Sequence, residues 1–362
     1  MKNRRDRKEK RDRLSDLPDH VLLHMMKLIN TKQAVQTCIL SSRWKDLWRR
    51  LTNLALNFSD FSRGTPHFTS FVSSILYHRD DSVSMHDIDL RRKGCIRPEL
   101  VDKIMTYANS HDVHSLRLGV DLSFSRGYSL HICIFSCQSL TNLKLSVRAV
   151  PCMTQLPSSL HLPALQSLHL VYVTFTANEN GVSDPFSNCH ALNTLVLECC
   201  NLHRGTSLLC VSNSNLSSLT IGSTIQEVGY KIVLSTPNIN SITLTRDLIH
   251  QISVCNISFL EQVNIDVKEN VHMFYEITYS GLISCLQVLA NYVKILKLSW
   301  STLKVLLRSS DSTITQLPYF VRLKSLKFKV NPSNILDENV RSLVDCFIKK
   351  CPPAIVYIDF RT

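Results

Sequence analysis

The spacing of apolar residues changes character near residue 51. Before it, apolar positions recur at helical intervals: Leu22, Met25, Met26 and Ile29 on one stretch, then Val35, Cys38 and Ile39 on the next. The strongest series is Leu40, Trp44, Leu47, Trp48 and Leu51, a single stripe with Arg43, Lys45, Asp46 and Arg49 turned outward. The pattern predicts three short amphipathic helices. Pro18 falls in the first turn of the first, Thr31 at the N-cap of the second and Ser41 at the N-cap of the third. A module of ~40 residues is short of core and needs a partner or a neighbouring domain. Its apolar surplus is therefore expected to dock.

Beyond residue 51 the pattern becomes apolar-x-x-apolar-x-apolar. It recurs at Val113/Leu116/Leu118, Leu140/Leu143/Leu145, Leu165/Leu168/Leu170, Leu192/Leu195/Leu197 and Leu216/Leu219/Ile221. It continues at Ile239/Ile242/Leu244, Leu260/Val263/Ile265, Val293/Leu296/Leu298 and Leu323/Leu326/Phe328, with earlier matches at Leu51/Leu54/Leu56 and Met85/Ile88/Leu90. From Met85 to Leu260, successive starts lie 28, 27, 25, 27, 24, 23 and 21 residues apart. The last two apolar positions of each window flank a polar one, as in a short strand with one buried face. Such a unit cannot cover that face alone, so neighbours stack into a curved parallel sheet. The period and the window LNTLVLECCNL (192–202), with Cys200 turned inward after the strand, are those of leucine-rich repeats.

Between strands the sequence is irregular, with Pro151, Pro157, Pro163, Pro185 and Pro237 placed in the joins. Helices are predicted over 66–80 and 98–110, and a longer one over 281–296, where the period stretches. The segment beyond Leu317 is expected to cap the array. Side chains opposite the core form the candidate recognition face: Arg117, Lys144, His169, Val196, Thr220, Thr243, Asn264, Lys297 and Lys327. That row reads as neutral in the middle and basic at both ends, with Lys324 and Lys329 adding to the last strand. A positive patch of this kind suits an acidic or phosphorylated target or a polyphosphate.

Hydrophobic residues make up 44% of the 362, which excludes wholesale disorder. No apolar run approaches the ~18 residues of a membrane span. The charged start lacks the apolar stretch of a secretion signal. Thirteen cysteines then read as reduced thiols. Of the net charge of +12, residues 1–13 supply +5. Their interspersed Asp6, Glu9 and Asp12 and the lack of aromatics speak against a nucleic-acid arm, and leave a solvated leader or a nuclear-import signal. No Gly-rich phosphate loop is present, and Cys133 and Cys137 lack a second pair at zinc spacing. No metal, cofactor or catalytic group is expected, and no cysteine–histidine RING array is present.

The run Leu14-Ser15-Asp16-Leu17-Pro18-Asp19, then Val21-Leu22-Leu23-His24, Thr31-Lys32, Ala34-Val35 and Leu40-Ser41-Ser42-Arg43-Trp44-Lys45-Asp46-Leu47-Trp48 resembles an F-box of the form common in plants. Followed by FTSFVSSILYHRD and the repeats, the order is similar to that of plant F-box/leucine-rich-repeat proteins over nearly the whole chain. His20 replaces an acid usual in the family, and Met25-Met26-Lys27-Leu28-Ile29-Asn30 replaces a more regular Ile/Leu run, so adaptor binding is expected to survive in weakened form. The resemblance implies an α/β chain: a leader (1–11), the F-box (12–58), a helical linker with a first irregular repeat (59–112), repeats (113–330) and a carboxy-terminal cap (331–362). It implies a non-catalytic substrate receptor of a Skp1–cullin–F-box ubiquitin ligase, in the nucleus or cytoplasm, joined to cullin and RING through a Skp1-like adaptor. Leu17, Pro18, Val21, Leu22, Ile29, Val35, Leu40, Trp44, Leu47 and Trp48 would face that adaptor, Leu17 and Pro18 most directly, while Trp44 and Leu47 also build the core. The repeats would hold a target protein; membrane and nucleic acid are not among the expected partners. An interaction protein acting outside a cullin complex is the alternative.

Overall fold

The structure, a computed structural model, describes residues 14, 16–61, 64–122, 132–149, 154–222, 230–246, 251–258, 260–267, 275–307, 316–330, 338–351 and 354–360. The predicted leader, Pro151 and the start of the cap lie outside them. Each apolar-x-apolar window forms a strand: β1 Asn53–Asn57, β2 Asp87–Ile96, β3 Ser115–Leu122, β4 Asn142–Ala149, β5 Ser167–Val171 and β6 Thr194–Glu198. The series continues as β7 Ser218–Ile221, β8 Ser241–Thr245, β9 Leu260–Asp266, β10 Val293–Ser299, β11 Ser325–Val330 and β12 Ile355–Phe360. These strands make one twelve-stranded sheet in sequence order. Every adjacent pair is parallel. The sheet thus runs past both ends of the 113–330 span.

Register aligns the apolar positions into two continuous ladders. One joins Leu54, Ile88, Leu116, Leu143, Leu168 and Leu195, then Leu219, Ile242, Val263, Leu296 and Leu326. The other joins Leu56, Leu90, Leu118, Leu145, Leu170 and Leu197, then Ile221, Leu244, Ile265, Leu298 and Phe328, and every member of both is buried. Period-two alternation places all of them on one face, against a second layer of helices and loops. Helices α3 (Thr65–His78) and α4 (Pro98–Ser110) fill the first two joins of that layer, as the sequence predicts. Helices α5 (Tyr275–Leu289), α6 (Trp300–Leu307) and α7 (Glu338–Lys350) fill the last three.

Two expectations for this layer change. The helix expected over 281–296 starts earlier and stops at Leu289, because Val293, Leu296 and Leu298 are claimed by β10. The irregular middle joins carry two small parallel sheets. One pairs Thr154–Leu156, Val173–Phe175 and Asn201–Leu202; the other pairs Val182–Ser183, Leu208–Ser212, Lys231–Ser235 and Gln251–Asn256. Their alternation is present in LLCVS (208–212) and KIVLS (231–235), each with two buried side chains. Pro157, Pro163, Pro185 and Pro237 all sit between strands.

The amino-terminal module also departs from its pattern. Helix α1 spans Asp19–Met26, with Pro18 directly before it as N-cap rather than inside its first turn. Helix α2 spans Thr31–Gln36 and is capped by Asn30, not Thr31. The Gln33 N–H donates to Asn30 Oδ1 at 2.8 Å and the Asn30 N–H to Gln33 Oε1 at 3.3 Å, a reciprocal capping box. The third helix is absent: residues 42–46 are turns and Leu47–Arg50 is a short 3₁₀ segment, so Ser41 caps nothing. The expected stripe therefore splits. Trp44, Leu47 and Leu51 join Leu22, Met26 and Ala34 in a small core, while Leu40 is exposed.

The module is fastened to the sheet by polar contacts. Thr31, buried, accepts the Ala55 N–H of β1 on its hydroxyl at 2.8 Å, and Lys32 donates to the Asp60 carbonyl. Behind them Arg79, only 5% exposed, donates from Nε to the Leu51 carbonyl at 3.0 Å and from Nη1 to the Tyr107 hydroxyl at 3.2 Å. Its Nη2 donates to the Val83 and Ser84 carbonyls at 2.8 and 3.1 Å. One guanidinium thus ties the module's exit, the end of α3 and α4 together.

Arg79→Ala is expected to lower unfolding free energy by about 3 kcal/mol, since each buried carbonyl left unsatisfied costs ~1–3 kcal/mol. Urea denaturation measures the loss, and cleavage should rise near residues 51–64. Trp44→Ala, at a site 4% exposed, is expected to cost about 3–5 kcal/mol by the same measurement.

Candidate functional site

Two surfaces carry unspent chemistry. The first lies on the amino-terminal module. Of the residues the sequence marks there, Leu22, Trp44 and Leu47 are buried in the module's core. Leu17, Val21, Val35 and Trp48 are half-buried, and Pro18, Ile29 and Leu40 are exposed. The adaptor-facing set leaves out the module's most exposed apolar side chains, Leu28 at 77% and Ile39 at 83%, although Ile39 lies on a marked stripe; Met25 and Leu14 are also exposed. Leu28 and Ile39 follow the ends of α1 and α2 in the chain, and Leu14 precedes α1. Leu22 and Met26, one turn apart, take the inward face of the eight-residue helix, so Met25 rotates outward, while Ile29 lies beyond the helix end. A signal was present: the module has more apolar residues than a core of its size holds.

The second surface is the sheet face opposite the core, concave in a solenoid of this kind. The residues expected there do share one row. Register runs from Asp89 through Arg117, Lys144, His169 and Val196 to Thr220, Thr243, Asn264, Lys297, Lys327 and Tyr357. Two members were missed. Asp89 is the polar middle of the Met85/Ile88/Leu90 window, so the same rule locates it. Tyr357 lies on a strand that the repeat pattern does not mark.

Asp89 tempers the first of the two basic ends without cancelling its positive excess. Its carboxylate takes a bidentate contact from Arg91, at 2.9 Å from Nε and 2.7 Å from Nη2, and lies 3.7 Å from Arg117 Nη1. Arg148 pairs with Asp121 at 3.2 Å. The first strands therefore form a mixed acid–base patch around a depression of about 510 Å³ lined by Asp89, Arg91, Arg117, Gly119, Lys144 and Ser146. At the centre, His169 Nε2 stands 3.8 Å from Glu198 Oε2. Burial pushes the His169 pKa below the ordinary imidazole range, Lys144 pushes it further down, and Glu198 opposes both. At the other end, Lys297, Lys327 and Lys329 form no ion pair among the described residues. Lys327 instead lies over the Tyr357 ring at 5.2 Å.

Thiol chemistry is suppressed where it is best placed. Cys200 faces inward as expected, donating weakly to the Leu170 and Glu198 carbonyls, and burial pushes its pKa up to about 12. Cys285 is pushed up to about 12 by the same cause. Cys210 is half-buried and Cys199 buried, while the Cys133 side chain lies outside the described residues. Among the described residues no group of three His, Cys, Asp or Glu could hold a metal ion, and no helix is long and apolar enough to cross a membrane.

Comparison with known proteins follows this division. Residues 14–55 match the F-box domain, and residues 101–304, more than half the chain, match the repeats described as "FBD-associated F-box protein At5g56370, LRR repeats". Among curated proteins of Arabidopsis thaliana, the putative F-box protein At1g58310 is 26% identical across 92% of this chain and 71% of its own length. The F-box protein At1g60400 is 25% identical across 94% of this chain and 82% of its own length. The F-box/LRR-repeat protein At1g55660 is 30% identical across 52% of each.

His169 gives a pH test of this geometry. Its folded pKa is depressed, so the unfolded chain binds the proton more readily and stability falls as pH drops below ~6.5. NMR titration should place His169 below the free imidazole value. Lys144→Met should raise that value and Glu198→Gln should lower it further; the opposite signs would contradict the arrangement.

Proposed function

The chain belongs to the plant F-box/leucine-rich-repeat family, and from that premise we propose that it is the substrate-recognition subunit of a Skp1–cullin–F-box ubiquitin ligase. The observation that carries the reading is the exposed apolar set at the ends of α1 and α2, Leu28 and Ile39 foremost. Several large apolar side chains left exposed on so small a module are what a protein-docking surface requires. The F-box match supports reading that surface as the seat of a Skp1-like adaptor, through which cullin and RING subunits would join. Leu17, Pro18, Ile29 and Leu40 belong to the same docking set; Trp44 and Leu47 support it from the core.

The opposite end of the molecule supplies the second function. The sheet face presents a fixed row of side chains to a target protein, and the repeats set its distance from the adaptor. No side chain need react with the target. Holding it near a ubiquitin-charged enzyme replaces a bimolecular encounter by an effectively unimolecular one. Arg79 acts here as a positioning residue, since the module must not swing on the solenoid.

Leu28→Asp with Ile39→Asp in the full chain is expected to weaken adaptor binding by at least about thirtyfold, the effect of losing one hot-spot contact of ~2 kcal/mol. Both side chains are exposed, so far-ultraviolet circular dichroism and unfolding midpoint should stay unchanged. Co-purification of Skp1-like adaptor and cullin with wild-type chain, lost in the variant, supports the reading. Retention of adaptor without cullin would instead place the protein outside a ligase complex.

A further inference from the structure

The carboxy-terminal end of the sheet face carries an arrangement that folding alone disfavours. Lys297 and Lys327 are directly opposite each other in register on adjacent parallel strands. Strands lie ~4.8 Å apart, and like charges placed opposite one another destabilise a sheet. Lys329 adds a third ammonium two residues further along the same face. Both neighbours, together with burial, lower the Lys297 pKa, burial being the largest cause. The carboxylates nearby by register are offset. Asp266 lies diagonal to Lys297, in the flanking row on the adjacent strand, and position 359 is opposite Lys329 rather than Lys297 or Lys327. In the first strands, by contrast, one carboxylate, Asp89, pairs with Arg91 and lies 3.7 Å from Arg117.

Resting on the reading of this face as a target receptor, we propose that Lys297 and Lys327, flanked by Lys329 and Tyr357, seat a clustered anion carried on an extended peptide segment of the target. The anion is a phosphoryl group or a pair of adjacent carboxylates; both present several acceptor oxygens to the ammonium groups. The remainder of the row favours a peptide over a nucleic acid. Beyond the lysines lie Asn264, Thr243 and Thr220, neutral groups that exchange hydrogen bonds with a peptide backbone. A long polyanion following the same row would pass Asp266 and then Glu198.

The test is fluorescence anisotropy with the full chain bound to its adaptor. The probes are short labelled peptides of one sequence bearing a phosphoserine, two adjacent glutamates or a neutral serine, together with a single-stranded RNA. The expected result is binding of either anionic peptide in preference to the neutral one, weakened by salt. Lys297→Glu with Lys327→Glu, and the neutral pair Lys297→Met with Lys327→Met, should weaken it roughly tenfold or more, as loss of charge-assisted hydrogen bonds predicts. The phosphoserine and diglutamate arms identify the source of the anion. Equal binding of the neutral peptide, undiminished binding by both lysine pairs, preferential binding of RNA, or no binding by any probe would each overturn the proposal. Thr243→Arg separates the two levels. Binding lost in that variant but kept in the lysine pairs leaves the face a receptor and removes the anion seat. Binding kept in all of them removes the face itself.

Discussion

Leu219 has one apolar neighbour in register on each side, Leu195 and Ile242, and each of those is placed the same way. No strand in this sheet covers its own buried face; only the next repeat does. That dependence sets the architecture. It forces the apolar positions into continuous ladders, holds the strands parallel and in sequence order, and leaves the problem of covering a strand only at the two ends. At the carboxy-terminal end the ladder weakens, for Val356 is half-buried and Ile358 exposed. At the amino-terminal end the edge is closed by something other than a strand. The Thr31 hydroxyl takes the Ala55 N–H that no neighbouring strand can accept.

The helical module therefore meets two inward demands with one small set of residues, its contact with the solenoid and its own core. Facing inward, Trp48 and Val35 pack against the core of the solenoid, and Arg79 fixes the exit of the chain through four partners. Its own core uses Leu22, Met26, Ala34, Trp44, Leu47 and Leu51. Nothing inward remains for Leu28, Ile39 or Leu40. Two short helices cannot turn more than one face each to the interior, so the surplus is a geometric consequence of so small a cap.

Most of the sheet was legible in the sequence because its signal is local and repeated. A period-two window states both the strand and its inward face, and register then brings Arg117 to Lys327 into one row without further information. The helical module was less legible. Between Leu40 and Leu51 the apolar residues fit a helical wheel, yet the Asp19 carboxylate draws in Arg43 at 2.7 Å and Arg50 at 3.5 Å, contacts spanning 24 and 31 residues that fit the observed turns and 3₁₀ segment. The Asn30 cap was missed because Asn30 and Thr31 are both good caps, and the choice depends on Thr31 being needed by β1. The contact of Arg117 with Asp89 was missed because Asp89 belongs to a repeat counted as irregular.

The in-register sheet also explains why charge on the recognition face can be local. Parallel strands joined in chain order turn sequence order into spatial order, one side chain every ~4.8 Å. A mixed patch, a neutral centre and a basic end therefore stay where they are written and do not average out. His169 keeps that separation at neutral pH, since burial and Lys144 hold its imidazole uncharged beside Glu198. A charged imidazole there would place a cation in the centre of the row. The lysines at the far end gain distinctness from that neutrality: Lys297 and Lys327 stand side by side in register, at the end of the sheet far from the helical module. An anionic target group held there, with the rest of its segment over Asn264 and Thr243, would be fixed in direction as well as in place. Direction is what a rigid connector must specify if the same target residues are to meet the same catalytic partner each time.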